Sequence, residues 1–403
     1  MFYVYKFYLI LTLKPLPCLF NFKFYQSMKT PNKIIIGIIC LLVSHIAIGQ
    51  GCVAIRSLSG CGTGTGSSAI LRPGESLLGL NMRYFKSFRH FRGDHEEAER
   101  IEKNTEVINK SYFYDLTFNY SFAKRYYFNL LIPYVYHNRS SLYEHGGNSY
   151  GDRHTTQSRG IADIRTSIGH WLFDEEKNPK HNMALALGAK FPTGNYKATD
   201  VFYNVGPGLT NEVRFVDQSI QPGDGGFGVT VDLFGFRQLS NSIVFNGSVY
   251  YLINPRETNG ISRSNNPSPS NIMSVPDQYA ARLGFFYVSP IHGLDLYLGG
   301  RIEGIPVYDL VGGSGGFRRP GYVISLDPGI NYRIKNFLFS GNVPVSMVRN
   351  RTQSAPDKER EKITGIPTHG DAAFADYLIS FGIAYKITKP EKSSNETTPV
   401  VVH

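Results

Sequence analysis

Ser111–His137 reads SYFYDLTFNYSFAKRYYFNLLIPYVYH, and its alternation decides the fold. From Tyr112 the even positions are Tyr112, Tyr114, Leu116, Phe118, Tyr120 and Phe122, while the odd ones include Asp115, Thr117, Asn119 and Ser121. Beyond Ala123-Lys124-Arg125 the even positions are apolar or aromatic again, Tyr126, Phe128, Leu130, Ile132, Tyr134 and Tyr136, with Asn129, Pro133 and His137 among the odd. A period of two sends successive side chains to opposite faces of a strand, and about eleven residues is the length of a tilted membrane-spanning strand. Two such strands across a tight turn predict a transmembrane hairpin.

The same pattern recurs along the chain. Strands are expected at 77–88, 112–122, 126–137, 161–172, 182–191, 227–236, 243–253, 278–288, 294–303, 322–333, 337–348 and 374–387. The links between them alternate: loops of roughly 15 to 35 residues, then turns of roughly 2 to 7, as in barrels with long extracellular loops and short periplasmic turns. The expectation is an all-β fold, a transmembrane up-and-down antiparallel β-barrel of about 12 strands over residues 77–387. An even strand number leaves both chain ends in the periplasm. A soluble sandwich would show links of mixed length and one polar face in water.

Composition agrees with this. Mean hydropathy is −0.20, and no stretch after residue 50 is apolar for long enough to form a membrane helix. A barrel escapes averaged hydropathy because each lipid-facing residue alternates with a polar lumen-facing one. The net charge of +10 is spread through strands and loops and forms no basic stripe, so nucleic acid is not an expected partner.

Upstream of the barrel, Met28-Lys29 and Lys33 form a basic n-region, Ile34–Ile48 an apolar h-region, and Ala47-Ile48-Gly49 a small-residue cleavage site, so 28–49 reads as a signal peptide. Residues 1–27 then read as an extension upstream of the true start at Met28. In the segment 50–76, Cys52 and Cys61 are placed to form a disulfide after export, closing a periplasmic or plug segment. Lipidation of Cys52 is the weaker reading, since Gly49-Gln50-Gly51-Cys52 has no apolar residue three before the cysteine. Residues 388–403 read as a flexible polar tail.

If the apolar faces meet lipid, the lumen receives Arg83, Asp115, Asp163, Arg165, Lys190, Asp232, Arg282, Asp295, Arg301, Glu303, Asp327, Arg333 and Asp376. Both signs occur, so these are candidates for interstrand ion pairs that fix register or for a polar constriction that orients a solute. Arg282, Arg301 and Glu303 lie within cross-strand reach and predict one mixed-charge cluster.

Three motifs carry a family resemblance. Ala184–Tyr196 (ALALGAKFPTGNY), Gln221–Gly226 (QPGDGG) and, less closely, Ser158–Asp163 (SRGIAD) resemble the outer-membrane barrels of meta-pathway phenol degradation and related FadL-like transporters, over residues 75–387. The resemblance implies passive uptake of small, often hydrophobic or aromatic, solutes. It also implies that Pro192, Thr193, Gly194, Pro222 and Gly223 shape a loop near the pore mouth. The Cys52/Cys61 segment and the polar tail depart from the family pattern. The partners that follow are outer-membrane lipid, a small-molecule solute and the barrel-assembly machinery.

Other readings are weaker. A plugged structural or adhesive barrel would use the same wall without transport. A lipid-facing Ser/His hydrolase would need a serine on the face of His170, whose same-face neighbours are Thr166, Ile168 and Leu172. No catalytic residue is assigned. His137, His145, His154 and His369 match no metal spacing and read as solvated loop histidines, so neither metal nor cofactor is expected.

Overall fold

The computed structural model describes residues 65–146, 153–263 and 268–388. The segment expected to be a signal peptide, Cys52 and Cys61 of the expected disulfide, and the residues beyond Thr388 lie outside the described residues. Twelve staves run in chain order: β1 (Ser76–Arg92), β2 (Ile108–Ala123), β3 (Tyr126–Ser141), β4 (His154–Ile161 and Arg165–Trp171), β5 (His181–Lys190), β6 (Gly228–Gln238), β7 (Ile243–Ile253), β8 (Gln278–Val288), β9 (Leu294–Ile305), β10 (Gly321–Ile334), β11 (Phe337–Asn342 and Val345–Asn350) and β12 (Ala372–Ile387). Each pairs antiparallel with its sequence neighbours, and β12 closes on β1 from Ser76↔Ile387 to Phe91↔Ala372. Closure joins the last stave to the first, the condition for a sheet to cross a bilayer without a free edge, while His154–Ile161 at the long-loop end pairs with β3 alone.

The alternation follows the expected phase. In β2, Tyr114, Leu116, Tyr120 and Phe122 face outward, whereas Phe113 and Asp115 are buried inside. Leu187 and Leu298 expose 58% and 56% of their surface on that outer face, and exposed apolar side chains continue around the wall. An apolar surface of that extent is unsupportable in water and fits hydrocarbon. Aromatic residues border it at both ends. Tyr84, Tyr112 and Tyr136 stand in register across β1–β3, with ring centroids 4.9 and 5.9 Å apart. At the short-turn end, Phe122 meets Tyr126 at 6.1 Å and Phe337 meets Tyr385 at 4.9 Å. A strand tilted about 40° and rising about 3.3 Å per residue climbs about 25 Å between Tyr112 and Phe122, the height of an outer-membrane apolar band.

Two staves differ from the continuous strands expected. β4 begins at His154, well inside the expected loop, and breaks at Ala162-Asp163-Ile164, where three residues oppose Ile132 and Pro133 of β3. Pro133 has no N–H to give, so the Ala162 amide donates to the Pro133 carbonyl at 2.8 Å and the chain bulges. Thr193 holds the bulge, its Oγ1 donating to the Ala162 carbonyl and accepting from the Ile164 amide, both at 2.9 Å. β11 breaks at Val343-Pro344 for the same reason, and the Val343 amide donates to the Pro328 carbonyl at 3.1 Å.

The long loops carry structure of their own. A ribbon pairs Thr199–Phe202 with Glu212–Phe215, another pairs Thr258–Ser262 with Ile272–Ser274, and α-helices form at Glu99–Glu102 and Ala355–Thr364. The longer helix starts at a capping box, Ser354 with Asp357, and ends at Gly365 with φ 68°. Among the described residues no helix is long and apolar enough to cross a membrane.

Candidate solute path through the barrel

The inward faces build two chemically different halves. Toward the short turns, Trp171 of β4, Ala184 of β5, Phe236 of β6, Val244 of β7, Phe286 of β8 and Tyr297 of β9 form one apolar cluster inside the wall. Ile70, on the segment before β1, completes it. A 3-10 turn at Gly66–Ala69 brings that segment back against β5 and β6. Beside the cluster is a cavity of about 650 Å³, lined by Leu77, Tyr127, Trp171, Phe234 and Leu338 among others. These aromatics occupy the phase of the polar inward positions. The alternation could have found them, but only charged inward residues were singled out.

The middle of the lumen is polar and crossed by ion pairs. Arg83 donates from Nε and Nη2 to Asp115 at 3.1 and 2.7 Å. Arg165 donates to the Tyr250 hydroxyl at 2.6 Å, with Asp232 opposite Tyr250 in the ladder. Lys190, 1% exposed, bonds Asp224 and lies 3.7 Å from Asp163. Arg282 donates to Asp327 at 2.6 Å, and Asp327 also accepts from Asn342 at 2.8 Å. Arg301 pairs with Glu303 on its own strand at 2.6 Å. The single cluster expected from Arg282, Arg301 and Glu303 is therefore two separate pairs. Arg282 sits opposite Arg301 in register, and like charges turn to different carboxylates. Toward the ends of the wall, Asp295 lies 3.8 Å from Arg333, and Asp376 joins Arg89 and Arg349 at 2.7 Å each.

Pro192, Thr193, Gly194, Pro222 and Gly223 meet at the β4 bulge. The Asp163 carboxylate accepts from the Gly194 amide at 3.0 Å and the Asp224 amide at 3.2 Å. A side chain at Gly194 would stand 2.7 Å from the Gly223 Cα, so both glycines are needed for the approach. With Arg165 and Phe113 this element borders a mid-lumen cavity of about 130 Å³.

Nearer the long loops a third cavity, about 470 Å³, is lined by His90, Arg100, Arg139, Arg263, Arg319 and Asp371 among others. Most of these are loop residues, and strand periodicity gave no signal for them. The histidines expected in solvent are instead packed. His137 is buried against Ser111, its Nδ1 2.9 Å from the hydroxyl. His145 is buried under the Thr199–Phe215 ribbon, 5.1 Å from His154, with its Nδ1 accepting from the Tyr203 amide at 3.1 Å. His170 faces outward and stacks on Tyr126 at 4.3 Å. No group of metal-ligating side chains occurs among the described residues.

Residues 99–217 match the family model described as a putative MetA pathway of phenol degradation. That is the family the sequence resembles. The match spans β2 to β5 and the ribbon beyond, and contains two of the three resembling motifs; Gln221–Gly226 lies just past it. No curated protein matches the chain. Among solved structures, an outer membrane channel from Pseudomonas putida F1 is 10% identical, over 79% of this chain and 97% of that one, with a TM-score of 0.49. The β domain of the Bordetella autotransporter BrkA is 11% identical over 78% and 100%, at 0.42. The Ralstonia pickettii toluene transporter TbuX is 10% identical over 78% and 90%, at 0.37. The chain is a closed antiparallel β-barrel of twelve staves with an apolar outer face.

Proposed function

We propose that the barrel admits small apolar or aromatic solutes passively across the outer membrane, as a channel without a catalytic step. The carrying observation is the cavity of about 650 Å³ at the short-turn end, where Ile70, Tyr127, Trp171 and Phe234 form an aromatic and apolar side and Arg72, Glu175 and Arg333 are among the charged residues of the rim. Ligand sites for small molecules are concave and mostly apolar, with few polar groups to orient the guest. A ring entering beside Trp171 and Phe234 leaves water at about 25 cal/mol per Å² of apolar surface. The charged pairs of the middle lumen and the Gly194/Gly223 element would set the width of the path above it. The segment before β1, including Ile70, would gate its lower end. Insertion by the barrel-assembly machinery belongs to the same reading.

A second reading has an observation of its own: Ile70, on the segment before β1, packs into the inner apolar cluster, as a plug in a structural barrel would. One measurement separates the two. Cells with smooth lipopolysaccharide, with and without the protein, take up radiolabelled toluene at different rates if the path is open. Equal rates would overturn the channel.

The chain's sole tryptophan, Trp171, lines the cavity and supplies a direct readout. Toluene should change its emission saturably in the refolded barrel.

A further inference from the structure

The cavity of about 470 Å³ at the long-loop end gathers positive charge from four separate segments: Arg100 after β1, Arg139 at the end of β3, Arg263 in the β7–β8 loop and Arg319 before β10. Three of them meet carboxylates. Arg100 bonds Glu97 at 2.8 Å and Asp371 at 3.0 Å, and Arg139 bonds Glu144 at 2.6 Å. Asp217 is then shared, 2.7 Å from Arg319 and 3.7 Å from Arg139. Arg263 has no carboxylate within ion-pair distance among the described residues. Its guanidinium lies over the Phe317 ring at 4.0 Å, with that of Arg319 over the same ring at 4.9 Å. The ring thus holds two like charges together through its π-face.

Four carboxylates, Glu97, Glu144, Asp217 and Asp371, pair with three of these arginines and leave Arg263 aside. Burial raises the Asp217 carboxyl, yet Arg139 and Arg319 outweigh it and hold the group well below the usual carboxylate range. Burial, and then Arg319, lower the Arg263 guanidinium from its usual value. Arg319 already gives Nη1 and Nη2 to Asp217 at 2.9 and 2.7 Å, whereas Arg263 brings to the same solvent-connected cavity a guanidinium without an acidic partner, whose planar fork a carboxylate fits with paired N–H donors. Val107, Tyr143, Ala372 and Ala373 give the same cavity an apolar side.

We infer that this vestibule is a binding site for small organic carboxylates, in which Arg263 takes the carboxylate, the charge of Arg319 beside it adds attraction, and the apolar side takes the carbon skeleton. Its part in uptake rests on the channel reading; the site itself does not.

Calorimetric titration of the refolded barrel with benzoate, benzyl alcohol and inorganic phosphate tests it. Benzoate should bind at least about tenfold more tightly than benzyl alcohol, the scale of a charge-assisted bond. Arg263→Gln, which orphans no carboxylate, should weaken benzoate about tenfold, and Arg263→Lys should restore part of it. The emission response of Trp171 to toluene should stay as in the wild type. Equal benzoate binding by the wild type and Arg263→Gln, or no preference for benzoate over benzyl alcohol, would overturn the site. Phosphate binding tighter than benzoate with the same Arg263 dependence would overturn the carboxylate assignment. If toluene alters Trp171 emission but benzoate fails to bind, the vestibule falls and the channel stands. If benzoate binds through Arg263 but toluene neither enters cells nor perturbs Trp171, the channel falls and the vestibule stands.

Discussion

Arg282 and Arg301 face one another across β8 and β9, yet each is neutralised elsewhere: Arg282 reaches over β9 to Asp327 of β10, and Arg301 folds onto Glu303. The two carboxylates differ in burial. Asp327 is fully buried and Glu303 keeps 14% of its side-chain surface in the lumen, while Arg282 and Arg301 keep 19% and 15%.

Arg282→Ala should destabilise by about 3 to 5 kcal/mol, because it leaves a buried carboxylate with only Asn342 for company. Arg301→Ala leaves a wetter Glu303 and should cost about 1 kcal/mol, close to the value for solvated pairs. Its effect should appear instead in the cation/anion preference of any conductance. Unfolding midpoints and reversal potentials on the two variants check the ranking, which fails if Arg301→Ala proves the more damaging.

The lipid face gives the second contrast. Leu116→Arg, in the middle of β2 on the outer face, should cost about 2 to 4 kcal/mol in refolding titrations into lipid. Asn119→Arg faces the lower cavity and should be milder. Equal penalties would reverse the assigned phase of the wall.

At the bulge, Gly194→Ala or Gly223→Ala would force a methyl within 3.0 Å of opposing backbone. Each should cost about 1 to 3 kcal/mol, the scale of overpacking, and loosen the grip of Asp163 on the loop. Hydrogen exchange at the Gly194 and Asp224 amides should rise in either variant. Unchanged exchange would detach this element from Asp163.

Acid should release the ribbon before it unfolds the barrel. Burial, then His154, lowers the pKa of His145 below its ordinary 6.5. The folded state therefore favours neutral His145, and below pH 6.5 the unfolded loop binds the extra proton. The contribution is present above the unfolded value and declines as pH falls from there toward the folded one. Protection of the Tyr203 amide, which donates to His145, and of Gly146, which donates to Tyr203, should fall between pH 7 and 5. Protection independent of pH in that window would count against His145 as the cause.

The wall was legible because its physics is local. Alternation placed β8 at Gln278–Val288, where it is found, and put Arg83, Asp115 and Lys190 on the inner face. The break in β4 was hidden because its proline acts from the neighbouring strand, the missing N–H of Pro133 bending β4, whereas β11 breaks at its own Pro344. Pairings were hidden for a similar reason. Asp327 meets Arg282 across an intervening strand, and Asp224 reaches Lys190 from a loop that carries no period. Loop chemistry, such as Asp217 between Arg139 and Arg319, depends on closure of the whole barrel.

The seam between β1 and β12 sets an order of assembly. Ser76 finds Ile387 only after nearly the entire chain has been synthesised, so no partial product can seal itself. Contacts of such sequence separation carry the largest loop-closure cost and form slowly. Until they form, the first and last staves are open templates for any other strand, including those of sister chains. Chains ending before Ala372 would keep both templates permanently and accumulate as aggregates in the periplasm, so the twelfth stave acts as the latch of biogenesis as much as a piece of wall.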